Sequence, residues 1–206
     1  MTTHEHSAAE VHRDDIGSRM GIWLFLFTEL LLFGGLFFLY SVYRFMHQTD
    51  FHIAAKQLNV IIGAFNTAIL LTSSMTMALS ITAMQRNNRN LSIFLQCITI
   101  LMGIAFLINK YFEWMTKIHH GIYPGSEELL SKGSGQILFF GLYYTMTGLH
   151  ALHVIIGMII IGVMTRFTVR GSINHEHYVR LEAAGLYWHL VDIIWIFLFP
   201  LFYLIT

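Results

Sequence analysis

The stretch QILFFGLYYTMTGLHALHVIIGMIIIGVMT, Gln136–Thr165, runs for 30 residues without an aspartate, glutamate, lysine or arginine. About 20 apolar residues of helix cross the hydrocarbon core of a bilayer. A strand crossing it would alternate polar and apolar positions, and this stretch does not. It therefore reads as a transmembrane helix, and it has four counterparts. Met20–Tyr43 carries one acidic or basic residue, Glu29. Leu58–Met84 and Leu91–Asn109 carry none, with Lys110 and Glu113 following the second. Ala183–Ile205 carries His189 and Asp192. The expected architecture is all-α, an integral membrane bundle of five spans at about 20–43, 58–84, 91–115, 136–165 and 181–205.

The composition agrees. Of 206 residues, 55% are hydrophobic, 15% aromatic and 12% charged, about half the charged share of an ordinary soluble domain. Twelve basic residues balance twelve acidic ones, so no net field draws polyanions, and nucleic acid is excluded as a partner. One cysteine, Cys97, excludes a disulfide framework or thiolate metal site and is expected to be a small core residue. Residues 1–19 are polar, with His4, His6 and His12, and read as a solvated cytoplasmic tail preceding a membrane domain over 20–206. The connections are polar, and no internal repeat is evident.

Five spans put the termini on opposite sides. Arg13, Arg19, Arg86, Arg89, Arg166, Arg170 and Arg180 lie on the N-terminal side; Arg44, Lys56, Lys117 and Lys132 lie on the other. The excess places the N-terminus in the cytoplasm and the C-terminus outside.

Polar groups inside a membrane demand a partner or a purpose. On the last span, Glu182, Gly185, His189 and Asp192 share one helical stripe; on the fourth, Tyr143, His150, His153 and Gly157 share another. Counted in from the cytoplasmic ends at about 1.5 Å per residue, Glu29, His153 and His189 lie within about 6 Å of one depth. Asp192 and His150 lie about one turn deeper. The expectation is one buried polar layer joining spans one, four and five, with Glu29 in reach of His150 or His153 and with His189 and Asp192 completing it. Helix-to-helix hydrogen bonding is the bland reading of such residues; a metal or bis-histidine haem on His153 and His189 is the alternative. Large aromatic residues crowd that neighbourhood, and no small-residue face opens a haem-sized gap. A transport site would favour broken helices and inverted repeats, which are not apparent. Gly63, Asn66, Thr67, Ser73, Ser74 and Ser80 give span two a packing stripe. Arg166, Arg170, Trp188 and Trp195 are candidate contacts for phospholipid headgroups.

TGLHALHVIIG (Thr147–Gly157) and LEAAGLYWHLVDIIWIFLFPLFYL (Leu181–Leu204) closely resemble the last two helices of subunit III of haem-copper cytochrome c oxidases. GIWLFLFTELLLFGGLFFLY (Gly21–Tyr40) resembles the family's span with a membrane-buried glutamate. Phe112–Trp114 (FEW) and Gly121–Ser126 (GIYPGS) resemble its following helix end and loop. The resemblance covers Gly21 to the end. It implies a subunit of a proton-pumping terminal oxidase, in a bacterial plasma membrane, that has no active site and no cofactor of its own. Haems and copper would sit in partner subunits. This chain would stabilise the catalytic subunit I directly, with subunit II and small subunits beside it, support proton uptake and bind phospholipid; membership of a respiratory supercomplex is a further implied partnership. Glu29 matches the family's buried carboxyl, His150 and His153 its histidine pair, and Glu182, His189, Asp192 and Trp195 its final-helix string. The resemblance further implies that the two leading helices of seven-helix members have no counterpart here, so their lipid-filled cleft is missing or built by another subunit. Pro200 departs from the family string and is expected to kink the helix exit. Quinol oxidases and nitric-oxide reductase clusters carry similar five-helix subunits, so they remain the alternative, as does a free-standing membrane cytochrome. Glu29 in place of Asp, with the TGLHALH wording, favours cytochrome c oxidase.

Overall fold

A computed structural model describes residues 3–131, 133–175 and 178–205, without the side chains of residues 3–16, 18 and 19. Among the described residues there are seven helices and no strand: α1 (Thr3–Met46), α2 (Gln48–Ala55), α3 (Val60–Gln85), α4 (Arg89–His119), α5 (Glu127–Leu130), α6 (Ser134–Arg170) and α7 (Val179–Tyr203). Five contain membrane-length apolar segments: Met20–Met46, Val60–Gln85, Arg89–His119, Ser134–Arg170 and Val179–Tyr203. α1 takes in the polar N-terminal stretch from Thr3 as continuous helix; His4, His6 and His12 are outside the described side chains.

Local chemistry sets the helix ends. The Asn59 side chain accepts from the amides of Ile61 and Ile62 and caps α3. The α3–α4 turn needs a left-handed residue, and Asn87 takes it at φ 58°; Asn88 then caps α4 through the Leu91 amide. Gly171, at φ 79°, ends α6. α7 continues through Pro200 to Tyr203, so the expected kink at its exit does not interrupt the helix.

α7 is the central element. It packs on α6, α3 and α1, while α4 packs on α3 and α6. Trp188, Trp195, Phe202, Phe106, Phe139, Phe140 and Tyr143 fill the interior. Small residues admit these rings. A Cβ on Gly157 would lie 2.8 Å from Trp188 Cε3, and one on Gly63 2.8 Å from Phe199 Cε2. The first span is the least buried of the five, and it touches only α6, α7 and the short α2 among the described elements with substantial contact. Two expectations fail here. Cys97 is exposed on the outer surface of α4 rather than in the core. Trp188 and Trp195 are both 0% exposed, so neither reaches a lipid headgroup. Their stripe faces α3 and α4 because aromatic area is better buried between helices already opened by glycine. Arg166 and Arg170 are exposed.

Candidate functional site: buried polar groups between the helices

Glu29 of α1 and His153 of α6 meet as expected. Oε2 is 2.8 Å from Nε2. His153 Nδ1 lies 2.7 Å from the Leu149 carbonyl one turn back, so that nitrogen donates its hydrogen there. One further proton must lie between Nε2 and the carboxyl, held either as imidazolium or as carboxylic acid. The pair is neutral overall in both forms, which is what a low-dielectric site tolerates. The Phe33 ring stands edge-on to the imidazole at 5.3 Å, and the Tyr187 hydroxyl donates to the His153 carbonyl at 3.3 Å.

The rest of the expected layer is not one network. His150 is fully buried with both ring nitrogens unbonded among the described residues. It lies between the rings of Phe106 (5.6 Å) and Trp195 (5.2 Å) instead of facing Glu29. His189 turns to α3, where Nδ1 lies 2.6 Å from Ser74 Oγ. Asp192, 2% exposed, has neither carboxyl oxygen hydrogen-bonded among the described residues. The reason is rotational. Depth counting fixes height but not azimuth, and the α7 stripe points at α3 while α1 lies on another side of α7.

That direction makes span two more than a packing face. Trp188 Nε1 donates to Ser73 Oγ at 3.1 Å and Trp195 Nε1 to Thr67 Oγ1 at 3.0 Å. With Ser74–His189 they form three polar rungs between α3 and α7. Glu182 lines a cleft at the N-terminal-side end of the bundle, with His189, Gln85, Thr82, Ala78 and Trp23; its volume is about 410 Å³.

The densest charged site was not read as one from the sequence. Lys110, Glu113 and Lys117 of α4 are 2%, 4% and 8% exposed. Lys110 Nζ donates to Glu113 Oε2 at 3.0 Å, to the Tyr143 hydroxyl at 3.0 Å and to the Tyr203 hydroxyl at 2.6 Å. The two tyrosines donate in turn to Glu113 Oε1, at 2.9 and 2.7 Å. Lys117 Nζ stands 3.6 Å from the same oxygen. Lys110 also lies 5.0 Å from the centre of the Trp195 ring. One carboxylate thus accepts from α4, α6 and α7 and ties the C-terminal parts of α4 and α7 to the N-terminal part of α6. A signal existed: Lys110, Glu113 and Lys117 recur at three- and four-residue spacing, which puts them on one helix face. Among the described residues no group of three or more His, Cys, Asp or Glu is placed to hold a metal ion.

A family model described as cytochrome c oxidase subunit III matches residues 2–206. Cytochrome c oxidase subunit 3 of Thermostichus vulcanus is 32% identical over 204 residues, covering 98% of this chain and 90% of that protein. The heme-copper oxidase subunit I+III of Aeropyrum pernix is 32% identical over 195 residues, covering 91% of this chain and 22% of that longer protein. The cytochrome bo(3) ubiquinol oxidase subunit 3 of Buchnera aphidicola is 28% identical over 185 residues, covering 89% of this chain and 92% of that protein. Five apolar spans, the quoted motifs and a match along nearly the whole length lead to one conclusion: the chain is a multi-pass membrane protein of the cytochrome c oxidase subunit III family, a subunit of a haem-copper oxidase that associates with the catalytic subunit I.

Proposed function

We propose that this chain is the non-catalytic, supporting subunit of a cytochrome c oxidase, holding no redox centre and bracing subunit I. The observation that carries this reading is that the candidate haem ligands are already engaged in a filled interior: His153 is held by Glu29 and His189 by Ser74, His150 is packed between Phe106 and Trp195, and Trp188, Trp195 and Phe106 are fully buried. A haem on these histidines would have to break those contacts. The haems and copper belong in the partner subunits. The fused name of the Aeropyrum relative, subunit I+III, supports adjacency to subunit I. Subunit II, small subunits, phospholipid at Arg166 and Arg170, and a supercomplex partner complete the proposed surroundings in a bacterial plasma membrane, with the N-terminus cytoplasmic. Support for proton uptake is part of this reading.

The test is purification through a tag on this chain, with peptide identification and a visible spectrum. Subunit I and its haem bands should copurify, the separated chain should be colourless, and an oxidase lacking the chain should turn over but inactivate sooner. A haem band in the separated chain would overturn the reading. Cytochrome c against quinol as reductant decides the donor, where the Buchnera relative supports the quinol alternative. Cysteines placed at Asn87 and Gly125, with Cys97 replaced by Ser, report orientation: Asn87 should label from the cytoplasm.

A further inference from the structure

Asp192 is an intramembrane acid with no hydrogen bond among the described residues. It is 2% exposed and lies in the middle of α7. An isolated carboxylate is expensive there. The other titratable groups on the packed elements are otherwise engaged. Glu29 and His153 hold each other, Lys110, Glu113 and Lys117 form the cluster at the opposite end, and His150 is walled in by Phe106 and Trp195.

Ser74 Oγ of α3 lies 2.6 Å from His189 Nδ1, and Asp192 follows His189 by three residues on the same face of α7, so the carboxyl stands on the Ser74 side of the helix without a hydrogen bond to it. His189, one helical turn from Asp192, lines the 410 Å³ cleft together with Glu182, Gln85 and Thr82. The same stripe of α7 thus runs from Glu182 at the cleft through His189 to Asp192 at its dry end.

We propose that Asp192 is a proton-exchange site, served from this cleft through Ser74 and His189 and separate from the Glu29–His153 pair. The serine hydroxyl has one hydrogen to share between two acceptors: His189 Nδ1, which it meets in this structure, and the Asp192 carboxyl, which it meets when the side chains rotate. In one arrangement His189 Nδ1–H donates to Ser74 Oγ and the hydroxyl turns to the carboxyl. In the other the hydroxyl donates to a bare Nδ1. For release, the carboxyl proton passes to Ser74 Oγ as the hydroxyl proton passes to Nδ1, and the Nε2 proton leaves to water in the cleft. The net change is one proton out, a carboxylate at Asp192 and the other imidazole tautomer at His189. Uptake is the reverse. The O–H and N–H bonds broken equal those formed, counting the one gained by the departing water, and no redox partner is required.

The experiment is hydrogen–deuterium exchange of the intact oxidase in lipid, followed by infrared difference spectroscopy in the carboxyl C=O region. Wild type should show an exchanging carboxyl band that is absent in Asp192→Asn and retained in Glu29→Gln. Ser74→Ala, a small change that leaves the helix packing in place, and His189→Phe should both slow that exchange by about tenfold or more, a barrier increase of about 1.4 kcal/mol. Absence of any Asp192-dependent band, or equal exchange rates in wild type and both relay variants, would overturn the proposal. Subunit retention, measured on the same samples, separates a folding failure of His189→Phe from a relay effect because Ser74→Ala tests the relay by itself.

Discussion

The Glu29 carboxyl and the His153 imidazole meet at 2.8 Å across 124 positions of sequence. The contact ties the least buried span to the centre of the bundle. Its hydrogen-bond chain continues through Nδ1 to the Leu149 carbonyl, so the ring orientation is fixed from both sides.

Glu29→Ala removes one end and leaves Nε2 in a half-dry site. The expected loss is about 1–3 kcal/mol, read as an earlier thermal unfolding transition of the detergent-solubilised oxidase and weaker retention of this subunit. Glu29→Gln is expected to lose less, because an amide still donates to Nε2. Equal behaviour of Glu29→Ala and wild type would dismiss the contact as an anchor.

Lys110→Met should be the more damaging change. It leaves Glu113 with tyrosine donors and the distant Lys117 amine, and breaking a buried ion pair from one side costs about 3–5 kcal/mol. Combining it with Glu113→Leu should recover part of that loss, since a hydrophobic replacement of both partners is often near neutral. A thermal double-mutant cycle checks this; strict additivity would mean that the two side chains are not coupled.

Two glycines should respond oppositely to alanine. At Gly157 the new Cβ would meet Trp188 at 2.8 Å, and overpacking costs about 1–3 kcal/mol. At Gly34 nothing lies within 4 Å, so Gly34→Ala should stay within about 0.5 kcal/mol or stabilise the helix slightly. Unfolding midpoints of the two variants, measured side by side, give the comparison.

Tryptophan fluorescence distinguishes the buried rings from a headgroup belt. In single-tryptophan variants of the separated chain reconstituted with brominated phospholipid, Trp188 and Trp195 should resist quenching, whereas Trp23, 62% exposed, should be quenched strongly. Strong quenching of Trp188 would contradict its burial against Ser73.

Much of this was legible in the chain itself. Five uninterrupted apolar stretches can only be satisfied in a bilayer as helices, because every backbone donor and acceptor must find a partner within its own segment. Spacing placed Glu182, His189 and Asp192 on one stripe, and depth brought Glu29 to the level of His153. The short helices α2 and α5 in the connections carried no such signal, being too brief and too polar to show a periodic face.

Sequence therefore determined the helices, their heights and the residue types on each face, since those follow from 1.5 Å of rise and 100° of turn per residue. The tertiary structure alone decided azimuth: that the α7 stripe faces Ser74 and not Glu29, that Trp188 and Trp195 are sealed against α3, that Cys97 points outward, and that Lys110 finds Tyr143 and Tyr203. Those outcomes depend on how each helix rotates about its axis to seat large rings against glycines such as Gly63 and Gly157, and rotation is fixed by packing between segments rather than by any one segment's pattern.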